Sequence, residues 1–175
     1  EVEILTTCVK EFTADWNENY YAAGTAVVGN ITVRRFPVRR RDTAAFDRVN
    51  RKLMDGKQIS PKEEQIFVEE MVNSPQLYEY MRDTADEYGL FVFIPYMFGT
   101  TYYGMQVCPE KSVLIPCFHD EAYVYMRLFR QAYVKARGMI YNAMPEMELA
   151  NRVYDFTTTE QICMGIGMDT RKIGR

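Results

Sequence analysis

The order of apolar and polar positions along the chain changes character near residue 90. Before it, short alternating runs are separated by polar stretches. Val2–Thr7 (VEILTT) alternates, is rich in β-formers and predicts a strand. Asp15–Gly24 (DWNENYYAAG) shows neither helical nor strand periodicity and predicts a loop. Ile31–Phe36 (ITVRRF) predicts a second strand, stopped by Pro37. Thr43 is placed to cap a helix whose apolar positions Phe46, Val49, Leu53 and Met54 share one face. Ser60-Pro61-Lys62-Glu63 combines a capping serine, proline at the first helical position and glutamate at the third, and so starts a helix that runs to about Met71. Ser74-Pro75 repeats the signal and predicts a helix ending near Gly89.

From residue 90 the pattern is regular. Continuous apolar runs at Leu90–Tyr96 and Ser112–Phe118, then Gly138–Ala143 and Gln161–Gly165, predict four strands. Between them lie a short helix-like piece after Gly99-Thr100-Thr101, a helix from about Glu121 to Arg137 and one from about Pro145 to Asp155. Strands that are apolar in both parities are buried on both faces, and a helix after each strand predicts parallel pairing. The fold class expected is α/β: a Rossmann-like, mostly parallel sheet with helices on both faces, forming a single domain over residues 1–175.

Doubly wound domains normally begin with a central strand and a glycine-rich turn. Nothing here matches G-x-G-x-x-G; the nearest string, Gly165-Ile166-Gly167, lies at the far end. Either a first β-α unit has been removed from this sequence or the fold is not built that way, and removal is the expectation.

Composition narrows the function. The chain of 175 residues carries 47% hydrophobic and 26% charged residues, the balance of a globular domain. A net charge of −3 offers no global attraction to nucleic acid, and none is expected as a partner. The apolar runs are far shorter than the roughly 20 residues that span a bilayer. The cysteines Cys8, Cys108, Cys117 and Cys163 form no C-x-x-C pair, so neither a zinc ribbon nor a thioredoxin-type site is expected, and reduced thiols fit a cytoplasmic location. Five arginines between Arg34 and Arg41 read first as a solvated face paired with acids such as Asp42, and second as a contact for a phosphate-bearing acceptor or for peripheral membrane binding.

Ligands of open parallel sheets bind off the carboxyl ends of the strands. The residues expected there are Thr6 and Thr7 with Asp15, Trp16 and Asn17 after the first strand, Gly99, Thr100 and Thr101 after Tyr96, His119, Asp120 and Glu121 after Phe118, and Asn142 and Glu146 after Tyr141. His119, the only histidine, can exchange a proton or hydrogen-bond a sugar hydroxyl or phosphate. The bland counterpart is that His-Asp-Glu is a capping segment, with Asp120 and Glu121 as helix caps. Trp16 with Asn17 could stack and hydrogen-bond a sugar ring. Equally, Trp16 could anchor a long loop.

The segments EILTTC, DWNENYYAAG, ITVRRFPV, FVFIPYMFGTTYYG, SVLIPCFHDEAYVYM and IYNAMPEMELANRVY, in that order, resemble the amino-terminal domain of bacterial glycosyltransferases of family 4. The tail ICMGIGMD resembles the stretch where such enzymes cross into their second domain. The resemblance implies a GT-B architecture, with two Rossmann-like lobes facing across a cleft and this chain as the acceptor-side half. It implies hexosyl transfer from a nucleotide-sugar to a glycan, lipid-linked or small-molecule acceptor, commonly with retention of configuration. It also implies no cofactor beyond the donor substrate and no metal. His119 matches a histidine that points into the cleft near the transferred sugar, a catalytic assignment, while Trp16, Asn17, Thr100, Thr101, Asp120 and Glu121 would shape substrate binding. The carboxyl-terminal domain of the same protein would be the partner lobe, and the isolated half would be inactive. The alternative reading is a non-catalytic Rossmann-like module that binds a glycan or a protein.

Overall fold

The computed structural model describes residues 1–165. Its first three strands, β1 (Glu3–Thr7), β2 (Gly24–Val28) and β3 (Ile31–Phe36), form a sheet in the order β1-β3-β2. β1 runs parallel to β3, whereas β2 and β3 are an antiparallel hairpin. The hairpin turns at Gly29-Asn30, whose φ values of 55° and 69° are the left-handed pair that a tight two-residue hairpin requires. β2 was not expected from the sequence. Its five residues are exposed, so it carries no burial alternation, although the Gly-Asn pair between two β-rich runs is a hairpin signal.

The helices follow their caps. In α1 (Thr43–Met54) the cap is Asp42 rather than Thr43, because the Asp42 carboxylate accepts the Ala45 N–H at 2.9 Å. Phe46, Val49 and Leu53 are buried as expected, but Met54 is 73% exposed. α2 (Pro61–Glu70) starts with a complete capping box: Ser60 Oγ accepts the Glu63 N–H and Glu63 accepts the Ser60 N–H. α3 (Pro75–Asp83) stops earlier than Gly89. A single 3₁₀ turn, Ala85–Glu87, follows and brings Tyr88 against Tyr80 and the Glu3 carboxylate. Ser74 holds the cap position before Pro75 as expected, but its side chain makes no cap hydrogen bond; its hydroxyl donates to the Pro37 carbonyl at 2.7 Å.

The second sheet, β4 (Phe91–Phe93), β5 (Ser112–Leu114), β6 (Gly138–Tyr141) and β7 (Glu160–Cys163), is parallel throughout and in sequential order. The crossovers contain α4 (Gly99–Gly104), α5 (Arg127–Tyr133) and α6 (Met144–Val153). The Rossmann-like α/β class read from the sequence is the class observed. β4 and β5 are shorter than expected because Pro95 and Pro116 bring no N–H to a ladder. The long helix expected over 121–137 is divided into a 3₁₀ turn, Ala122–Tyr125, and α5. Buried Glu64 of α2 caps α5 from outside, accepting the N–H groups of Arg127 at 2.8 Å and Leu128 at 3.0 Å.

The core lies between the helices and one face of this sheet. Leu114, Met139 and Tyr141 meet Phe67, Phe129, Tyr133 and Leu149 there. A smaller cluster of Phe36, Leu77, Met81 and Phe91 ties the two sheets together through α3. On the opposite face Val92 and Ile94 are 56% and 61% exposed, and Ile162 is exposed as well.

The arginine run is mostly internal wiring. Arg39 and Arg41 donate to the carbonyls of Glu69 and Glu70 at the end of α2, where partial negative charge collects, and Arg39 pairs with the Glu70 carboxylate at 3.3 Å. Arg34 pairs with Glu3 and lies over the Tyr80 ring. The acid expected as a partner, Asp42, is engaged instead as the α1 cap. All four cysteines are free thiols. No helix among the described residues is long and apolar enough to cross a membrane.

Candidate functional site

From β1 the strand order advances through β3 to β2, and from β4 it advances the opposite way to β7. Crevices form where order reverses in this manner, because successive crossovers diverge to either side. A cleft of about 1110 Å³ lies there, between β1 and β4. Thr7, Lys10, Phe12, Trp16, Phe98 and Thr100 line its part beyond the strands' carboxyl ends.

Trp16 is both anchor and wall. Its Nε1–H donates to the Phe12 carbonyl at 2.9 Å, and its ring meets Phe46 and Phe98 edge-on at 5.8 and 6.3 Å. The Arg41 guanidinium lies 4.8 Å from its centroid. Phe12, 65% exposed, extends the aromatic wall outward. Asn17 is outside the cleft lining and works locally: Oδ1 accepts the Arg41 N–H at 2.8 Å and Nδ2 donates to Thr43 Oγ1 at 3.2 Å. Asn19, which the sequence did not single out, likewise accepts the Val38 N–H. Thr100 is half-buried and open to the cleft. Thr101 is buried, with its hydroxyl donating to the Pro95 carbonyl at 2.7 Å.

The segment after β5 presents the histidine. Cys117 adopts φ 57°, left-handed backbone that a side chain with a Cβ rarely takes, and the chain bends sharply there. Beyond it Phe118 turns inward and stacks on Tyr154 at 5.1 Å, and His119 turns out to solvent. The bend is held by Glu146, whose Oε1 accepts the Phe118 N–H at 2.9 Å while Oε2 accepts the Asn142 N–H at 2.7 Å. Burial pushes the Cys117 thiol up, with an opposing contribution from its hydrogen bond to Asn142, so the sulfur is a thiol rather than a nucleophilic thiolate at neutral pH.

His119 does not start a helix, since α5 begins only at Arg127. Asp120 and Glu121 are not side-chain caps either. Asp120 accepts the Tyr125 hydroxyl at 2.6 Å and pairs with Arg152 at 3.2 Å, and Glu121 accepts the buried Tyr96 hydroxyl at 3.1 Å. The two carboxylates that follow His119 are thus engaged, whereas its imidazole makes no hydrogen bond among the described residues. His119 lies on the same rim as Trp16: Phe98, which meets the indole, follows β4, and β5 is the parallel neighbour of β4. Of the residues expected to bind or act on substrate, Trp16, Thr100 and Thr101 line the cleft, and Asn17, His119, Asp120 and Glu121 do not.

The sequence placed Glu146 at the carboxyl edge, with Asn142, but not as the residue that holds two loops, and it did not single out Glu64. Glu146 carries a signal, since it stands three residues past the α6 cap, Ala143, where a carboxylate can reach back to backbone N–H groups. Glu64 carries none, because its partners lie on α5. Among the described residues no group of three or more His, Cys, Asp or Glu side chains could hold a metal. Ile166 and Gly167, part of the glycine string and of the tail that resembles a domain crossing, lie outside the described residues. No protein-family model, curated protein or solved structure matches the chain.

Proposed function

We propose that the chain is the acceptor-side half of a two-lobed glycosyltransferase that moves a hexosyl group from a nucleotide-sugar to a hydroxyl acceptor, as its resemblance to family 4 implies. The observation that carries the reading is an outward-facing imidazole, His119, on the same carboxyl rim as an aromatic-walled cleft. Phe12 and Trp16 offer apolar faces to the C–H side of a sugar ring, and Thr100 offers a hydroxyl. Lys10, which lines the same cleft, adds one positive charge.

In the transfer, the acceptor oxygen bonds to the anomeric carbon as the bond from that carbon to the diphosphate breaks. The diphosphate leaves with the electron pair, and the acceptor proton is released. His119 positions and polarises groups around that centre by hydrogen bonding. Charge stabilisation of the departing diphosphate falls mainly to the other lobe. The four free thiols fit a reducing compartment, and the reading places the enzyme in the cytoplasm.

The test is an assay of the polypeptide carrying both lobes with a panel of nucleotide-sugars and simple glycoside acceptors. Donor-dependent formation of a new glycoside is the expected result, with none from the isolated 175-residue chain. Turnover by the isolated chain, or a gene that encodes no second α/β lobe, overturns the reading; the latter favours a non-catalytic binding module.

A further inference from the structure

The cleft between β1 and β4 has the attributes of a vacant strand position as well as of a binding crevice. β1 pairs only with β3, and β4 only with β5, so each leaves one backbone edge without a ladder partner. Both edges line the cleft, from Glu3 to Thr7 on one wall and from Phe91 to Phe93 on the other. Leu77 and Met81 of α3 form its floor, and the Phe36–Leu77–Met81–Phe91 cluster holds the two sheets side by side across it. A strand of about five residues, some 17 Å long, 4.8 Å wide and 10 Å deep with its side chains, takes on the order of 800 Å³. The cleft, at about 1110 Å³, accommodates one with its carboxyl end left open.

A second observation concerns the face turned away from α3. There Val2 and Ile4 of the β1 segment, and Leu90, Val92 and Ile94 around β4, alternate outward and are all exposed, Val2 to 71%. These rows flank the cleft on both sides. Parallel strands are ordinarily covered on both faces, and exposed apolar rows of this kind mark a missing layer. Handedness says what the layer is. The crossovers from β4 to β7 step in one direction and pack on the α3 side. A right-handed crossover from a strand in the cleft to β1 steps the other way, and therefore lies on the exposed side.

We propose that the cleft is filled by a β-strand parallel to β1 and β4, and that an amphipathic helix after it covers Val2, Ile4, Leu90, Val92 and Ile94 before running into Glu1 from the amino side. The occupant is thus a β-α unit of the same polypeptide, joined to the amino end of β1. It turns two sheets into one with the order β2-β3-β1-strand-β4-β5-β6-β7. Its strand-to-helix turn falls on the carboxyl rim between Thr7 and Thr100, so the candidate site gains a backbone floor that the present residues do not supply. This inference does not depend on the sugar-transfer reading.

Hydrogen–deuterium exchange decides it, comparing the 175-residue chain with the polypeptide extended on the amino side of Glu1 as its gene encodes. Amides of both Glu3–Thr7 and Phe91–Phe93 are expected to slow by roughly tenfold or more in the extended protein, since edge amides without a partner exchange readily. Val92→Lys in the extended protein, on the face the helix would cover, is expected to reverse part of that protection. Unchanged exchange at either edge, or a gene with no apolar strand and helix there, overturns the proposal. A concentration-dependent dimer of the 175-residue chain that protects the same two edges also overturns it, because a second copy would then be the occupant.

Discussion

Glu146 Oε1 accepts the backbone N–H of Phe118 at 2.9 Å, from a side chain carried by the helix that follows the next strand. Because Oε2 simultaneously holds Asn142, one buried carboxylate fixes two loops of the carboxyl rim relative to each other. His119 is the next residue after Phe118, so its outward position depends on this tie. Glu146→Ala leaves the buried Phe118 N–H and the part-buried Asn142 N–H without this acceptor and is expected to cost about 2–4 kcal/mol. Urea denaturation measures it, and a change under about 0.5 kcal/mol contradicts the assignment.

Gly99 allows α4 to start against the end of α2. A Cβ there would sit 2.7 Å from the Val72 carbonyl oxygen and 2.9 Å from that of Val68, and backbone cannot step aside as a side-chain tip can. Gly99→Ala is expected to destabilise by about 1–3 kcal/mol. Gly89→Ala is the control, since a Cβ at that position meets nothing within 4 Å. It should leave the midpoint within about 1 kcal/mol of the parent. Equal effects of the two substitutions would contradict the close approach.

Glu63 links acid stability to a cap. Lys52, at 2.5 Å, and then the Ser60 N–H and hydroxyl hold its carboxyl down to about 2 from an ordinary value of 4.5. A folded-state value below the unfolded one means that the charged form is preferred in the folded state. Its stabilisation is complete above about 4.5 and is lost as the pH falls toward about 2. The site is open to solvent, so the effect is small. Thermal melts from pH 7 to 2 should show a shallower decline for Glu63→Gln than for the parent within that window. Parallel curves would remove the linkage.

How legible these features were depended on whether their causes were local. Ser60 through Glu63 specify the start of α2 within one turn of chain, and the cap forms as expected. The start of α1 shifts by one residue because Asp42 and Thr43 are both good caps and only geometry selects between them. The ends of α3 and the division near Ala122–Tyr125 answer to distant groups, the Glu3 carboxylate for Tyr88 and Glu64 for α5, which no local window contains. At the site, the position of His119 past a buried strand was readable from the sequence. Its exposure was not, because the bend at Cys117 and the tie to Glu146 are made by side chains far apart in sequence. Asn17, Asp120 and Glu121 have the chemistry of ligand contacts, yet each is engaged with a neighbour in the fold.

The most direct measurement is kcat of the two-lobed enzyme with His119 replaced by alanine, alongside its urea midpoint. Because the imidazole is exposed and makes no hydrogen bond among the described residues, the fold should be unaffected: kcat is expected to drop by about 100-fold or more, with stability within about 0.5 kcal/mol of the parent. Parental kcat in His119→Ala would contradict the assignment of this rim to sugar transfer.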